Sequence, residues 1–295
     1  MLGLVSRHWL PIIILTTAGL CVLRLSGPPD LADDYPQERV AAYVLDVLVH
    51  GHWTCQYGLY GEVASKPPLY AWLAALGNIA SPTPTWWALV WPAAAATLLT
   101  AGLLYTAGQR YFGELAGTLA AFAFLLSPVG VKQMGLVRID GLFACTVFVA
   151  LLLALHAWER GRGWTWFWLA AAVSTLAKGP LGLMLASLGL LAAVWERRTG
   201  LPAPLRGSHA IGCLLFLAIT GAWFALAYAE VGPPLVRTLI DDELVGHAVG
   251  GRDQQVPLRE FYKPTLYLLS RFLPWSLLLV TALWRVFRRP AAVPE

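Results

Sequence analysis

A small set of polar groupings stands out in an otherwise apolar chain, and their residue types and spacing are fit for chemistry. Asp33 and Asp34 are adjacent carboxylates. Such a pair is costly to keep charged at a membrane surface unless a cation or a proton-transfer role compensates. Asp34-Tyr35-Pro36-Gln37 also reads as a helix-capping sequence with proline in the first turn, so capping competes with catalysis for Asp34. Asp33 has no such structural role. Lys66 opens Ser65-Lys66-Pro67-Pro68-Leu69-Tyr70, where two prolines hold the chain extended before a helix begins. An ammonium beside a helix start suits a phosphate, although a lysine snorkelling at a membrane boundary would look the same. Arg138 and Asp140 cap a later apolar segment and could pair with each other. Lys178, in Ala177-Lys178-Gly179-Pro180, sits between two apolar halves where a charge needs a partner. Lys66, Arg138 and Lys178 on one face would form a clamp for a phosphodiester or polyphosphate. Farther along, Glu243 and His247 are spaced four apart, as two ligands of a divalent metal can be. A lone loop histidine is more often a plain surface residue.

The elements that must position these groups belong to a membrane. Of the 295 residues, 58% are hydrophobic and only 13% charged, against about a quarter charged in soluble domains. Mean hydropathy is +0.61, and fourteen tryptophans supply the side chain that favours the lipid–water boundary. The net charge of +4 is scattered, with no basic stripe, which sets nucleic acid aside as a partner. Cys21, Cys55, Cys145 and Cys213 show neither a close pair nor metal spacing.

Eight segments have the length and composition for crossing a bilayer: Trp9–Leu25, Trp86–Ala107, Leu115–Val131, Leu142–Trp158, Trp164–Leu176, Leu181–Trp195, Ala210–Ala229 and Thr265–Trp284. The first reads as a retained helix rather than a cleaved signal, because Leu25-Ser26-Gly27-Pro28-Pro29 is a poor cleavage site. The fifth and sixth are short, and are either two spans joined by a turn or one broken helix. With a cytoplasmic N-terminus, the short arginine-rich loops containing Arg110, Arg160, Arg162, Arg197 and Arg285 lie inside. The opposite face then carries two long polar loops, residues 26–84 and 230–264. In the first, Val40, Val44, Val47 and Leu48 share one helical face opposite Glu38, Ala42 and Asp46, and Gly51 supplies a stop. That helix is expected to lie in the membrane plane, followed by a second short apolar stretch over 67–80. The expected fold is all-α and polytopic, one membrane module with about eight transmembrane helices and in-plane helices in the first outer loop.

These pieces also occur in a familiar order: the acidic pair after the first span, Gly51-His52-Trp53, then Lys66-Pro67-Pro68-Leu69-Tyr70-Ala71-Trp72-Leu73. Arg138-Ile139-Asp140, Lys178-Gly179-Pro180-Leu181-Gly182-Leu183, Glu243-Leu244-Val245-Gly246-His247, Phe261-Tyr262 and Leu273-Pro274-Trp275 follow. The ordered set resembles the lipid-carrier-dependent glycosyltransferases of the GT-C fold, family 39. Within them it is most similar to the aminoarabinose (lipid A) transferase and protein-O-mannosyltransferase branch. The resemblance runs over nearly the whole chain. It implies transfer of a sugar, a hexose or pentose, from a polyprenyl-phosphate carrier to an acceptor outside the cytoplasm. The acceptor would be a glycolipid such as lipid A, a glycan or a protein, and the protein a multi-pass component of a bacterial inner membrane.

By the same resemblance, Asp33 or Asp34 is the general base, and Lys66, with Arg138 and Lys178, holds the carrier phosphate. Asp140, Tyr70, Arg252 and Tyr262 contact substrate. No cofactor is firmly implied. The family often has a glutamate, able to take part in metal binding, just before the lysine; here Ser65 stands there, so a divalent metal would fall to Glu62 or to Glu243 with His247. Many relatives continue into further spans and a C-terminal domain, so the chain is expected to be either a compact member or the shared N-terminal module. A transporter or lipid flippase, or a non-catalytic membrane scaffold, are the rival readings. Against transport, the ionisable residues gather at one face rather than mid-membrane, and no internal repeat is evident.

Overall fold

The computed structural model describes residues 9–27, 31, 35–79, 81, 83–197, 209–239 and 262–288. Among these residues the chain is helical, with no strand beyond one isolated antiparallel bridge, Tyr57 with Val63. In chain order the helices are α1 (Trp9–Leu25), α2 (Tyr35–His50), α3 (Leu69–Leu76), α4 (Trp86–Phe112), α5 (Glu114–Leu125), α6 (Pro128–Met134) and α7 (Ile139–Arg160). They continue as α8 (Trp164–Lys178), α9 (Pro180–Arg197), α10 (His209–Val231), α11 (Pro233–Val236), α12 (Lys263–Arg271) and α13 (Trp275–Arg288).

All eight expected apolar segments fall on helix. Among the described residues three helices, α4, α7 and α10, are long and apolar enough to cross a bilayer as continuous rods. The count rises to five if two bent pairs each make one span. The third expected span is one such pair: it breaks between α5 and α6 with a 63° bend. Pro128 cannot donate to the preceding turn, and Ser127 Oγ restarts the helix by accepting from the Gly130 N–H at 3.0 Å. The last expected span divides similarly into α12 and α13, bent by 117°, with Pro274 at the break. The fifth and sixth segments are two helices folded back on one another through Gly179, whose φ is +70°. A Cβ on Gly182 would come within 2.4 Å of the Ser174 backbone, so α8 and α9 meet at close range.

Lipid offers no hydrophobic reward for bringing one apolar helix to another, so small residues and close backbone approach have to carry the packing. Ala93, Ala94, Ala96 and Ala101 line the buried side of α4, and Ala150, Ala154 and Ala157 that of α7. Helices α4 and α5 also approach closely. A Cβ on Gly117 would meet the Tyr105 carbonyl oxygen at 2.4 Å, and one on Gly108 the Gly117 Cα at 2.5 Å. Large apolar side chains point outward instead: Leu214, Leu217 and Leu226 on α10 and Leu277, Leu279 and Leu283 on α13 are exposed, as lipid-facing residues are. Arg110 joins Glu159 at 2.6 Å, tying the end of α4 to the end of α7.

The contrast between Gly117 and Gly102, around which there is open space, gives a direct test. Gly117→Ala is expected to cost about 1–3 kcal/mol through overpacking. It should lower the thermal unfolding midpoint of the detergent-purified protein, whereas Gly102→Ala leaves the midpoint unchanged or slightly raised.

Candidate functional site

Residues 51–68 link α2 to α3 without a helix, and their backbone has to be satisfied by protein. A narrow ribbon does part of this: Gly58 N–H donates to the Glu62 carbonyl at 2.8 Å and Ala64 N–H to the Gln56 carbonyl at 2.8 Å. Side chains supply the rest. Gln56 Nε2 donates to the His52 and Trp53 carbonyls at 2.9 and 3.0 Å. Trp72 Nε1 donates to the Trp53 carbonyl at 2.6 Å, and Trp223, on α10, donates to the Thr54 carbonyl at 3.0 Å. The Ser65 N–H donates to Tyr43 Oη at 3.3 Å, so the residue before Lys66 is pinned to α2. Burial raises the Tyr43 pKa, which keeps that hydroxyl neutral.

Lys66 is half-buried at the end of this ribbon. Just after it, α3 drives Tyr70 and Ala71 into an apolar cluster that also holds Val40, Val44 and Val47 of α2. The same cluster takes in Val137 and Ile139, which flank Arg138, and Ala177, the neighbour of Lys178. The segments bearing Lys66, Arg138 and Lys178 therefore pack against one core. A buried bond links two of them: the Val137 N–H donates to Gln37 Oε1 at 2.9 Å, bringing the first turn of α2 against the Arg138 segment.

Lys178 has the partner its position required. Its Nζ lies 2.5 Å from Asp140 Oδ1 and 5.5 Å from the centroid of the Phe143 ring. Asp140 thus pairs with the cation 38 residues later rather than forming the local Arg138–Asp140 pair that their spacing permits. With side chains 28% and 49% exposed, the pair remains open to water and to a ligand. It fixes where the ammonium points more than it stabilises the fold.

Tyr70 does not take the substrate-facing place expected for it. It is 1% exposed and its hydroxyl donates to the Leu89 carbonyl at 2.7 Å, so it locks α3 to α4. The helical periodicity that buries Tyr70 beside Ala71 and Ala74 is the sequence signal for this, and it is masked by the Pro-Pro context of the neighbouring lysine. Tyr262 is exposed just before α12. Asp33, Asp34, Glu243, His247 and Arg252 lie outside the described residues. Sequence spacing also hides the polar role of α2: Asp46, expected on its outer face, is buried and accepts the Tyr57 N–H at 2.9 Å.

Farther along the helices that follow Lys66 and Arg138, α3, α4, α7 and α8 line an open groove of about 310 Å³. Its walls are almost wholly apolar, including Leu73, Trp91, Leu99, Leu142, Val149 and Val173. It opens from the same two helices, α3 and α7, that begin at the cationic segments.

Comparison with known proteins finds a family model described as dolichyl-phosphate-mannose-protein mannosyltransferase that matches residues 65–225, more than half of the chain. No curated protein matches. Among solved structures the fold is similar to ArnT from Cupriavidus metallidurans bound to undecaprenyl phosphate, with a TM-score of 0.78 and 20% sequence identity over 96% of this chain. The apo state of the same protein gives a TM-score of 0.68 at 20% identity, again over 96% of this chain. The two matches cover 52% and 51% of those chains, so this chain spans about half the length of the solved relatives.

Two measurements check the geometry. Gln37→Ala leaves the buried Val137 N–H without its acceptor and should cost about 1–3 kcal/mol, read as a lower unfolding midpoint. Cys55 is buried near Glu230 and Asp46, and burial first, then those charges, pushes its thiol up to about 11. Because only the thiolate reacts, N-ethylmaleimide labelling of Cys55, followed by peptide mass spectrometry, should still be rising at about pH 10. An exposed cysteine, with a pKa of about 8.5, has levelled off by then.

Proposed function

The chain belongs to the dolichyl-phosphate-mannose-protein mannosyltransferase family, and we propose that it moves a sugar from a polyprenyl-phosphate carrier to an acceptor on the outer face of the membrane. The observation that carries this reading is the packing of the Lys66, Arg138 and Lys178 segments on one core, with an apolar groove lined by the helices adjoining those segments. A lipid phosphate requires that combination: cations at headgroup level for the phosphate, and a water-free groove for the tail. The pairing of Lys178 with Asp140 supports it further, since it presets the ammonium before any ligand arrives.

In the proposed reaction an acceptor hydroxyl attacks the anomeric carbon from the face opposite the carrier. The new carbon–oxygen bond forms as the bond to the carrier phosphate breaks, inverting the configuration. The hydroxyl proton passes to Asp33 or Asp34, and the polyprenyl monophosphate leaves with the bonding electron pair. Lys66, Arg138 and Lys178 hold the charge that grows on the departing phosphate, and preorganised groups of this kind commonly supply more of the rate enhancement than any other single effect. The carboxylate contributes general-base help on the order of 10² to 10⁴ in rate. Asp140 acts by positioning Lys178, while Arg252 and Tyr262 are assigned to the acceptor side. Glu243 and His247 are the candidate divalent-metal ligands of the second outer loop. The transferred unit is a hexose or pentose, the acceptor a glycolipid, glycan or protein, and the membrane a bacterial inner membrane.

Transfer of radiolabelled sugar from a polyprenyl-phosphate donor tests the assignment. Lys66→Ala should raise KM for the donor by about tenfold or more, equivalent to about 1.4 kcal/mol of lost phosphate binding. Asp33→Asn or Asp34→Asn should lower kcat by two to four orders of magnitude with little change in donor KM. Unchanged donor affinity in Lys66→Ala removes the phosphate role, and full activity in both asparagine variants removes the base.

A further inference from the structure

The proposed transfer chemistry leaves one constellation unused. Asp46, His50 and His52 at the C-terminal end of α2 place three potential ligand atoms within 4.8 Å of one another. From this geometry we infer a binding site for a zinc-class divalent cation, formed by the Asp46 carboxylate and the His50 and His52 imidazoles. It uses none of the residues assigned to the transfer reaction and does not depend on the glycosyl-transfer reading.

The site is built by the backbone. His50 lies one helical turn after Asp46, and its Nδ1 is 2.9 Å from Asp46 Oδ1. Gly51 then adopts φ +73°, a left-handed conformation that ends the helix and turns the chain back. His52 returns over the same carboxylate, with Nδ1 3.1 Å from both Oδ1 and Oδ2. The turn is held by Gln56 Nε2, which donates to the His52 carbonyl, and by an edge-on contact of the His52 and Tyr57 rings at 5.2 Å. Asp46 itself is oriented by the Tyr57 N–H on Oδ2 and is 9% exposed, while His50 and His52 are 62% and 40% exposed. A buried, preoriented carboxylate with two imidazoles converging on it from the solvent side is a half-open site.

The distances match the proposed occupant. Tetrahedral zinc, with bonds of about 2.0–2.1 Å, keeps its ligand atoms about 3.3 Å apart. The two carboxylate–imidazole separations, 2.9 and 3.1 Å, need to open by only a few tenths of an ångström, and all three ligand atoms already lie within 4.8 Å of one another. Two nitrogens and one carboxylate oxygen favour zinc, nickel or copper over magnesium or calcium, which take oxygen ligands. Of the three ligands, His50 also borders a cleft of about 520 Å³ that it shares with Gly51, Trp53, Asn78 and Thr83, and the half-exposed imidazoles leave the site accessible from solvent. The cation would clamp the end of α2 to the ribbon that leads to Lys66.

The test uses the full chain, purified in detergent, stripped with a chelator and titrated with cobalt(II) and with zinc(II). One equivalent of cobalt, counted in the His247→Ala chain so that no ion at Glu243 and His247 contributes, should bind with the visible ligand-field bands of a nitrogen–oxygen site, and zinc should displace it. Saturating zinc should raise the unfolding midpoint. His50→Gln,His52→Gln should bind at least tenfold more weakly and show no zinc-dependent rise above its own metal-free midpoint. The single variant His50→Ala, altered only at an exposed side chain, repeats the measurement if the double variant fails to fold. His247→Ala should keep both the bands and the midpoint shift. The inference is overturned if the parent binds no stoichiometric cobalt. Equal affinity in the histidine variants, or bands lost in His247→Ala and kept in His50→Ala, overturns it as well.

Discussion

The arrangement depends on one apolar cluster at the head of the helix bundle, where α2, α3, α4, α7 and the end of α8 meet. Each cation lies next to a residue that is buried there, or within a few positions of one. Side chains as long as lysine and arginine wander over several ångströms when their backbones are free, and ordering them is costly in entropy. Burying Val137, Ile139, Ala71 and Ala177 fixes the three backbones first. The remaining side-chain freedom is then cut by specific contacts, of which Lys178 with Asp140 is the clearest.

The same cluster explains how an irregular segment survives at a membrane surface. Residues 51–68 expose backbone groups that lipid cannot satisfy. The donors that reach them come from helices on both sides: Trp72 from α3 and Trp223 from α10. Tryptophan suits this work, because a single N–H is carried on a large apolar body that packs where it bonds. Cys55, Ala227 and Leu235 seal the ribbon from the α10 side. The base of the polar loop, with Cys55, Gln56 and Ala64, is thus buried and bonded to a helix residue 169 positions away in sequence, while its tip at Leu59 and Tyr60 is exposed.

How much of this is legible in the sequence follows from range. The apolar segments are legible, because composition and length act locally, and all eight are helical. The break at Pro128 is not, because hydropathy averages over a proline that the backbone cannot ignore. Lys66, Arg138 and Lys178 are legible as charges out of place among apolar neighbours. That Lys178 takes Asp140 is not, since Arg138 is two residues from Asp140 and Lys178 is 38 away. Asp46 is misplaced by its periodicity for a related reason. Helical spacing separates two faces of α2, but both become buried once α3 and the ribbon fold over it. A period shows which residues share a face, and only the tertiary contacts show which faces are covered.

Charge balance gives the final constraint on the proposed reaction. Lys66, Arg138 and Lys178 carry three positive charges, and Asp140 returns one negative charge to the same group. In the proposed reading, the Asp140 carboxylate offsets the Lys178 ammonium it touches, and the phosphate meets the cations through what is left of that charge. A sugar phosphodiester brings one negative charge, whereas a departing phosphate monoester carries about 1.5 to 2. In the proposed reading, cations held at the phosphate gain most as the bond breaks and its negative charge grows. An excess of cations would bind donor and product alike, and uniform binding does not speed the chemical step. By neutralising part of the Lys178 charge while holding its ammonium in place, Asp140 shifts the balance toward the late, more anionic state. A residue that weakens the resting field of the site would thus increase the difference in binding on which the rate depends.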